Sequence, residues 1–263
     1  MQNATGTAFT IAAGAVEGSG LTMAFQPIFE LRALVLGGQA IVGCEALARF
    51  EGGHQPDEIF TAAQAAGFGI ELERRAAQLA LESLKSLPAG IFVSINASPQ
   101  LATSGALLEL LRGRDTARVV VDLIEGGQSA IHGPAGGSDR LALALADLQE
   151  LGVRIALDDT LGGSSESLAE LVLLPFDTIK VDRLIIRDVD KHAERAAQIS
   201  ALMQLATASG GDVIAEGIET ADELAALIDI GIRFGQGYHL ARPGPLDELL
   251  REFPGPRPES STR

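Results

Sequence analysis

The tightest constraint on this chain is a rhythm. Short apolar runs of strand length alternate with stretches whose apolar residues recur every three or four positions. LTMAFQPIF (21–29), AIVGCEAL (40–47), IFVSIN (91–96), RVVVDLI (118–124), VRIALD (153–158), TIKVD (178–182), DVIAE (212–216) and IRFGQG (232–237) predict strands. IFTAAQAAGF (59–68), ELERRAAQLALESLKSL (71–87), LALALADLQEL (141–151) and AAQISALMQLATAS (196–209) carry helical spacing. Gly152 and the pair Gly210–Gly211 read as helix stops. Strands apolar on both faces, separated by helices, imply a mostly parallel sheet. Eight of them over roughly 230 residues predict an α/β chain folded as a (β/α)8 barrel. The alternative is a doubly wound open sheet, which usually brings a glycine-rich nucleotide loop. Neither GxGxxG after the first strand nor GxxxxGK[ST] occurs here.

The predicted strands share a second property: they end on polar residues. In chain order these are Glu45, Asn96, Asp122 with Glu125 just beyond, Asp158 and Asp159, Lys180 and Asp182, Glu216 followed by Glu219, and Gln236. Strand alternation points Glu45, Leu47 and Arg49 the same way, and likewise Lys180 and Asp182, while Glu125 falls in the loop after Asp122. One such carboxylate is usually a helix cap or a solvated charge. Five or more converging on one mouth repel strongly unless cations sit among them. Oxygen ligands without thiolates or a histidine cluster favour Mg²⁺ or Mn²⁺ over zinc. The four histidines show no ligand spacing, and the single cysteine, Cys44, reads as a buried strand residue.

A formal charge of −15 and the absence of tryptophan argue against a nucleic-acid polymer as partner. No apolar run approaches the ~18 residues of a membrane segment. Residues 1–20 lack a basic n-region and read as a loosely ordered leader. Residues 21–250 form the domain, and 251–263 a Pro-rich C-terminal tail expected to fray. The Gly- and Ser-rich stretch 126–140 reads as an exposed connection.

Over residues 21–250, FQPI (25–28), Glu45-Ala46-Leu47, SIN (94–96), DLIE (122–125), DD (158–159), KVD (180–182), AEGIET (215–220) and GQGY (235–238) appear in that order. Together they resemble the EAL-domain phosphodiesterases of bacterial cyclic di-GMP signalling. The resemblance implies a modified TIM barrel with one antiparallel strand. It also implies cytoplasmic, metal-dependent hydrolysis of cyclic di-GMP to linear pGpG with two Mg²⁺ or Mn²⁺ ions. Carried over residue by residue, it makes Glu45, Asn96, Asp122, Asp158 and Asp159 metal ligands, with Glu216 completing the site. Lys180 and Glu216 are then catalytic, Lys180 orienting the attacking water. Gln26, Leu47, Arg49, Glu219 and Gln236 hold or border the substrate, and Glu125 and Asp182 support the site. A homodimer through the rim near 159–175 is implied as well. Two positions depart from the family pattern: Asp122 stands where a glutamate is usual, and DDTLGGSSE (158–166) where DDFGTGYSS is typical. Both departures keep a second reading open, a cyclic di-GMP receptor or protein-interaction module with little turnover.

Overall fold

A computed structural model describes residues 2–38, 40–124, 137–158 and 174–253. Glu125, Asp159, the altered loop and the start of the 126–140 connection lie outside them, as does most of the C-terminal tail. The eight apolar runs form eight strands: β1 (Leu21–Glu30), β2 (Ile41–Phe50), β3 (Phe92–Ala97), β4 (Val119–Leu123), β5 (Arg154–Leu157), β6 (Thr178–Val181), β7 (Asp212–Ala215) and β8 (Phe234–Gly235). They close into a barrel in sequence order. β1 runs antiparallel to both of its neighbours, β2 and β8, and every other pairing is parallel. The open-sheet alternative is thereby excluded, and the single reversed strand of the modified barrel is present.

Alternation along each strand divides the side chains into two sets. Cys44, Ala46, Val93, Ile95, Val119, Val121, Ile155, Leu157, Ile179, Val181, Val213 and Ala215 face outward and join one continuous apolar cluster with the surrounding helices. Glu45, Ser94, Asn96, Asp122, Asp158 and Lys180 occupy the alternate positions and meet inside. The barrel floor is closed by the Phe92 ring, with the Arg154 guanidinium 4.6 Å above its centroid. Gly43 makes room for that ring: a Cβ there would come within 2.5 Å of it.

Residues 2–17 correct the expectation of a loosely ordered leader. They form helix α1 (Gln2–Glu17). Ala8, Ala12 and Ala15, spaced by four and three, bury against Phe50 and Ile59, Ala63 and Leu72 of the helices α3 (Pro56–Ala65) and α4 (Gly69–Glu82); α2 is Leu31–Val35. The Phe9 ring meets Phe68 edge-on at 5.7 Å. An alanine stripe carries little hydropathy contrast, so its amphipathicity is weak in the sequence even though alanine has the highest helix propensity. Further helices along the chain are α5 (Pro99–Thr103), α6 (Ala106–Leu111) and α7 (Gly137–Glu150). α7 takes over the last part of the 126–140 stretch.

The last strand is short and is continued by a close backbone approach. Ile218 N–H donates to Gln236 O, and His239 N–H donates to Ile218 O. Between them Gly237 lies so close that a Cβ would fall 2.2 Å from both the N and the O of Ile218. Neither atom can yield without breaking those hydrogen bonds. Gly237→Ala is expected to destabilise the fold by about 2–3 kcal/mol. Urea unfolding of the two proteins measures this; equal midpoints would contradict it.

Candidate active site

The strand register explains why distant residues meet. Gln26 pairs with Glu45, Glu45 with Ser94, Asn96 with Asp122, and Lys180 with Ile214, two residues before Glu216. The polar side chains of the parallel strands therefore converge toward the carboxyl-end mouth, where a parallel barrel assembles its chemistry, and Gln26 joins them from the middle of the antiparallel β1.

At the centre is Lys180, 1% exposed, which among the described residues faces four carboxylates. Its Nζ lies 2.7 Å from Glu216 Oε1, 2.9 Å from Asp122 Oδ2, and 3.4 Å from both Glu45 Oε1 and Asp158 Oδ2. Gln236 Nε2 donates to Glu45 Oε2 at 2.6 Å and to Glu216 Oε1 at 3.0 Å. Asn96 Nδ2 donates to Glu45 Oε1 at 3.4 Å. Ser94 Oγ donates to Asp122 Oδ1 at 2.5 Å. Ser94 was not singled out by its sequence; its place two residues before Asn96, on the same strand face, was the available signal.

One lysine cannot neutralise four carboxylates, and the protonation pattern follows. Burial pushes the Asp122 carboxyl up to about 7 despite the opposing pull of Lys180. Burial also raises Glu216 well above the usual range. Glu45 moves the other way: burial opposes its charge, but Lys180 and the donors Gln236 and Asn96 outweigh it and hold it low. Lys180 itself is penalised by burial, yet the surrounding carboxylates, Asp122 foremost, keep it well above its ordinary value. Without a cation, then, Asp122 and Glu216 retain protons that the unfolded chain has released. The native state binds more protons than the unfolded state, so unfolding free energy falls as pH rises through their native pKa values. Between pH 5 and 8, the metal-free protein is expected to lose about 1–3 kcal/mol of stability. Urea titrations in EDTA across that range check it, and stability that rises with pH there would refute the assignment.

The donor set fits a hard divalent cation. Glu45, Asp122 and Asp158 each offer an oxygen, and these atoms lie within 4.8 Å of one another. Gln236 Oε1 is buried and has no hydrogen-bond partner among the described residues, its amide nitrogen being committed to the two carboxylates. A hydrated cation among the carboxylates would bring the O–H donors that this oxygen lacks.

Several expected residues lie off this centre. Leu47 and Arg49 line a cavity of about 350 Å³ that opens onto Glu45, Asn96 and Asp158 and extends to Phe60 and Glu73. Arg49 is exposed, and its Nη1 donates to the Ala48 carbonyl. Gln26 is buried, with its amide donated to Ala241 O at 3.1 Å, so it ties the C-terminal segment to the barrel. Glu219 lies at the outer edge, half exposed, 3.9 Å from Arg183 Nη1. Asp182 follows the end of β6, and its Oδ1 accepts from Leu184 N–H, capping the short helix Arg183–Ile186. The inward direction expected for Asp182 from strand alternation ends where the strand does. Glu125 and Asp159 fall outside the described residues.

A sequence model of the EAL domain matches residues 11–243. The chain is similar to RocR, a cyclic di-GMP phosphodiesterase of Pseudomonas aeruginosa, with 28% identity over 240 residues, 82% of this chain and 57% of that protein. Its fold matches the EAL enzyme Bd1971 with cAMP and cyclic di-GMP bound at TM-score 0.79 and 26% identity, over 94% of this chain and 68% of that one. It also matches Klebsiella pneumoniae BlrP1 in complex with manganese and cyclic di-GMP at TM-score 0.72 and 28% identity, over 86% of this chain and 56% of that one. This chain spans between 13% and 57% of the length of the curated relatives it matches. Among the described residues, no helix is long and apolar enough to cross a membrane.

Proposed function

The chain belongs to the EAL domain family, and from that premise we propose that it hydrolyses one phosphodiester bond of cyclic di-GMP to give linear pGpG. The observation that carries this reading is the convergence of Glu45, Asp122, Asp158 and Glu216 on the buried Lys180 at the barrel mouth. Glu45, Asn96, Asp122 and Asp158 would hold divalent cations, Mg²⁺ or Mn²⁺, together with Asp159 at the edge of the altered loop. Bound there, such cations supply Lewis-acid activation of the phosphate and of a water.

The protein's own groups do the rest. Lys180 places a fixed positive charge where negative charge grows on the phosphoryl group. Glu216, 2.7 Å from Lys180, is placed to take a proton from the attacking water once it is ionised. Gln236 bridges Glu45 and Glu216 and fixes their separation. The cavity beside Glu45 offers Leu47 and Phe60 as apolar walls for a base and Arg49 for a phosphate or a guanine edge. Cytoplasmic action and assembly with a second copy of the chain belong to the same proposal.

The test is direct. Purified protein with cyclic di-GMP and Mn²⁺ is expected to form pGpG, and EDTA to stop it. Tight binding of the dinucleotide with no product would support the receptor reading instead.

A further inference from the structure

Resting on that hydrolytic reading, we propose that Glu223 is a positioning residue, which holds Glu216 in place against Lys180 by tying together the segments that follow β6 and β7. Glu223 is 4% exposed and lies in the first turn of the helix Ala221–Ile230. Its Oε2 accepts from the N–H groups of Glu219 at 2.9 Å and Thr220 at 3.0 Å, and Thr220 Oγ1 accepts from Glu223 N–H at 3.2 Å. That reciprocal pair is a capping box, and it uses one carboxylate oxygen. The other oxygen reaches a different part of the chain. Oε1 accepts at 2.9 Å from the N–H of Asp188, 35 residues earlier, in the segment that follows β6. Asp188 stands at φ 52°, in the left-handed region that costs an L-residue free energy, and no other non-glycine among the described residues has a positive φ. Such a conformation persists where neighbours hold it, and the bond to Glu223 is one that does.

Both segments are rooted in the site. Lys180 lies on β6, Glu216 directly follows β7, and the two side chains are 2.7 Å apart. The ladder between the strands runs out to Glu216, whose N–H donates to Val181 O at 3.0 Å. Glu216 is thus carried at the outer end of the ladder, where bonds open first unless the chain beyond is tied. Gly217 follows and lies against Arg183, so close that a Cβ would come within 2.3 Å of the Arg183 Cβ. Such a contact resists approach but not separation. Glu223 resists separation, because one carboxylate grips Glu219 and Thr220 on one side and Asp188 on the other. A carboxylate serves both arms, since each oxygen accepts. Glutamine has one accepting oxygen and turns an N–H donor toward the remaining N–H.

The test separates the bridge from the cap. E223Q keeps the cap to Glu219 and Thr220 through its carbonyl oxygen and loses the bond to Asp188. T220A removes the hydroxyl half of the cap and keeps the bridge. With cyclic di-GMP and Mn²⁺, E223Q is expected to lower kcat about tenfold to a hundredfold, with KM within about threefold of the unmodified chain. T220A is expected to stay within about threefold in both. An undiminished kcat in E223Q, a loss confined to KM, or an equal loss in T220A would overturn the proposal. Amide hydrogen exchange, followed by NMR on the ligand-free chain, reads the same tie without turnover. E223Q is expected to speed exchange at the Asp188 and Glu216 amides at least about tenfold, and T220A to leave both within about threefold. Unchanged protection of Glu216 in E223Q would also overturn the proposal. Failure of the unmodified chain to form pGpG would remove the hydrolytic reading, and exchange at Glu216 would still decide whether Glu223 holds that residue in place.

Discussion

Lys180→Met is expected to destabilise the metal-free protein by about 3–5 kcal/mol, because it leaves buried carboxylates without their cation. The side chain is 1% exposed and touches four acidic groups between 2.7 and 3.4 Å. Methionine is unbranched like lysine but one atom shorter and brings no charge, so the remaining groups must take up protons or be partly rehydrated. A divalent cation supplies the missing charge from outside. Mn²⁺ at a hundredfold above its dissociation constant should return about 2.7 kcal/mol. Hydrolysis should not return with it, since the charge that meets the phosphoryl group is absent. Urea unfolding in EDTA and in Mn²⁺, with a pGpG assay alongside, separates the two effects. A variant as stable in EDTA as the unmodified chain would mean that Lys180 does not balance the cluster.

Glu45→Gln reverses the balance between stability and activity. Glu45 is 6% exposed, stays ionised, and receives donors from Gln236, Asn96 and Lys180. Glutamine keeps the shape and removes one of the charges that repel inside the barrel. The metal-free fold is expected to remain within about 1 kcal/mol of the original or to gain stability. Hydrolysis of cyclic di-GMP, by contrast, should fall at least about a thousandfold, because the cation and the phosphate lose a principal anchor. Paired measurements of the unfolding midpoint and of pGpG formation check both halves. Retained hydrolysis with Mn²⁺ would remove Glu45 from the centre of the site.

These contrasts bear on what the sequence could show. Strand period and helix period are local signals, and the barrel followed from them because short, largely apolar strand runs alternate with helical spacing along the chain. The inward carboxylates were legible for a related reason: a charge at the end of a buried strand interrupts an otherwise unbroken apolar run, as Asp122 does after VVV and Asp158 after IAL. Direction at strand ends was less legible. Asp182 keeps the parity of Lys180, but the strand stops at Val181 and the carboxylate turns to cap a helix. Gln26 has the right parity too, yet its amide is taken by Ala241, 215 residues away in sequence, a partner that no local pattern announces. Helix α1 was missed because alanine, its buried residue, looks alike in a packed stripe and in a flexible leader. Ser94 was overlooked because a single serine in a strand carries no charge to draw notice, although it organises the deepest carboxylate.

The reversed direction of β1 turns the doorway of the barrel around. Leu21, at the start of β1, pairs with Phe50, at the end of β2, so the polypeptide enters the closed sheet at the reactive rim and not at the floor. Helix α1 consequently leans on Phe50, whose ring meets Phe60 at 5.8 Å, and Phe60 is a wall of the cavity beside Glu45. The first helix is thus two aromatic rings away from the cavity beside Glu45.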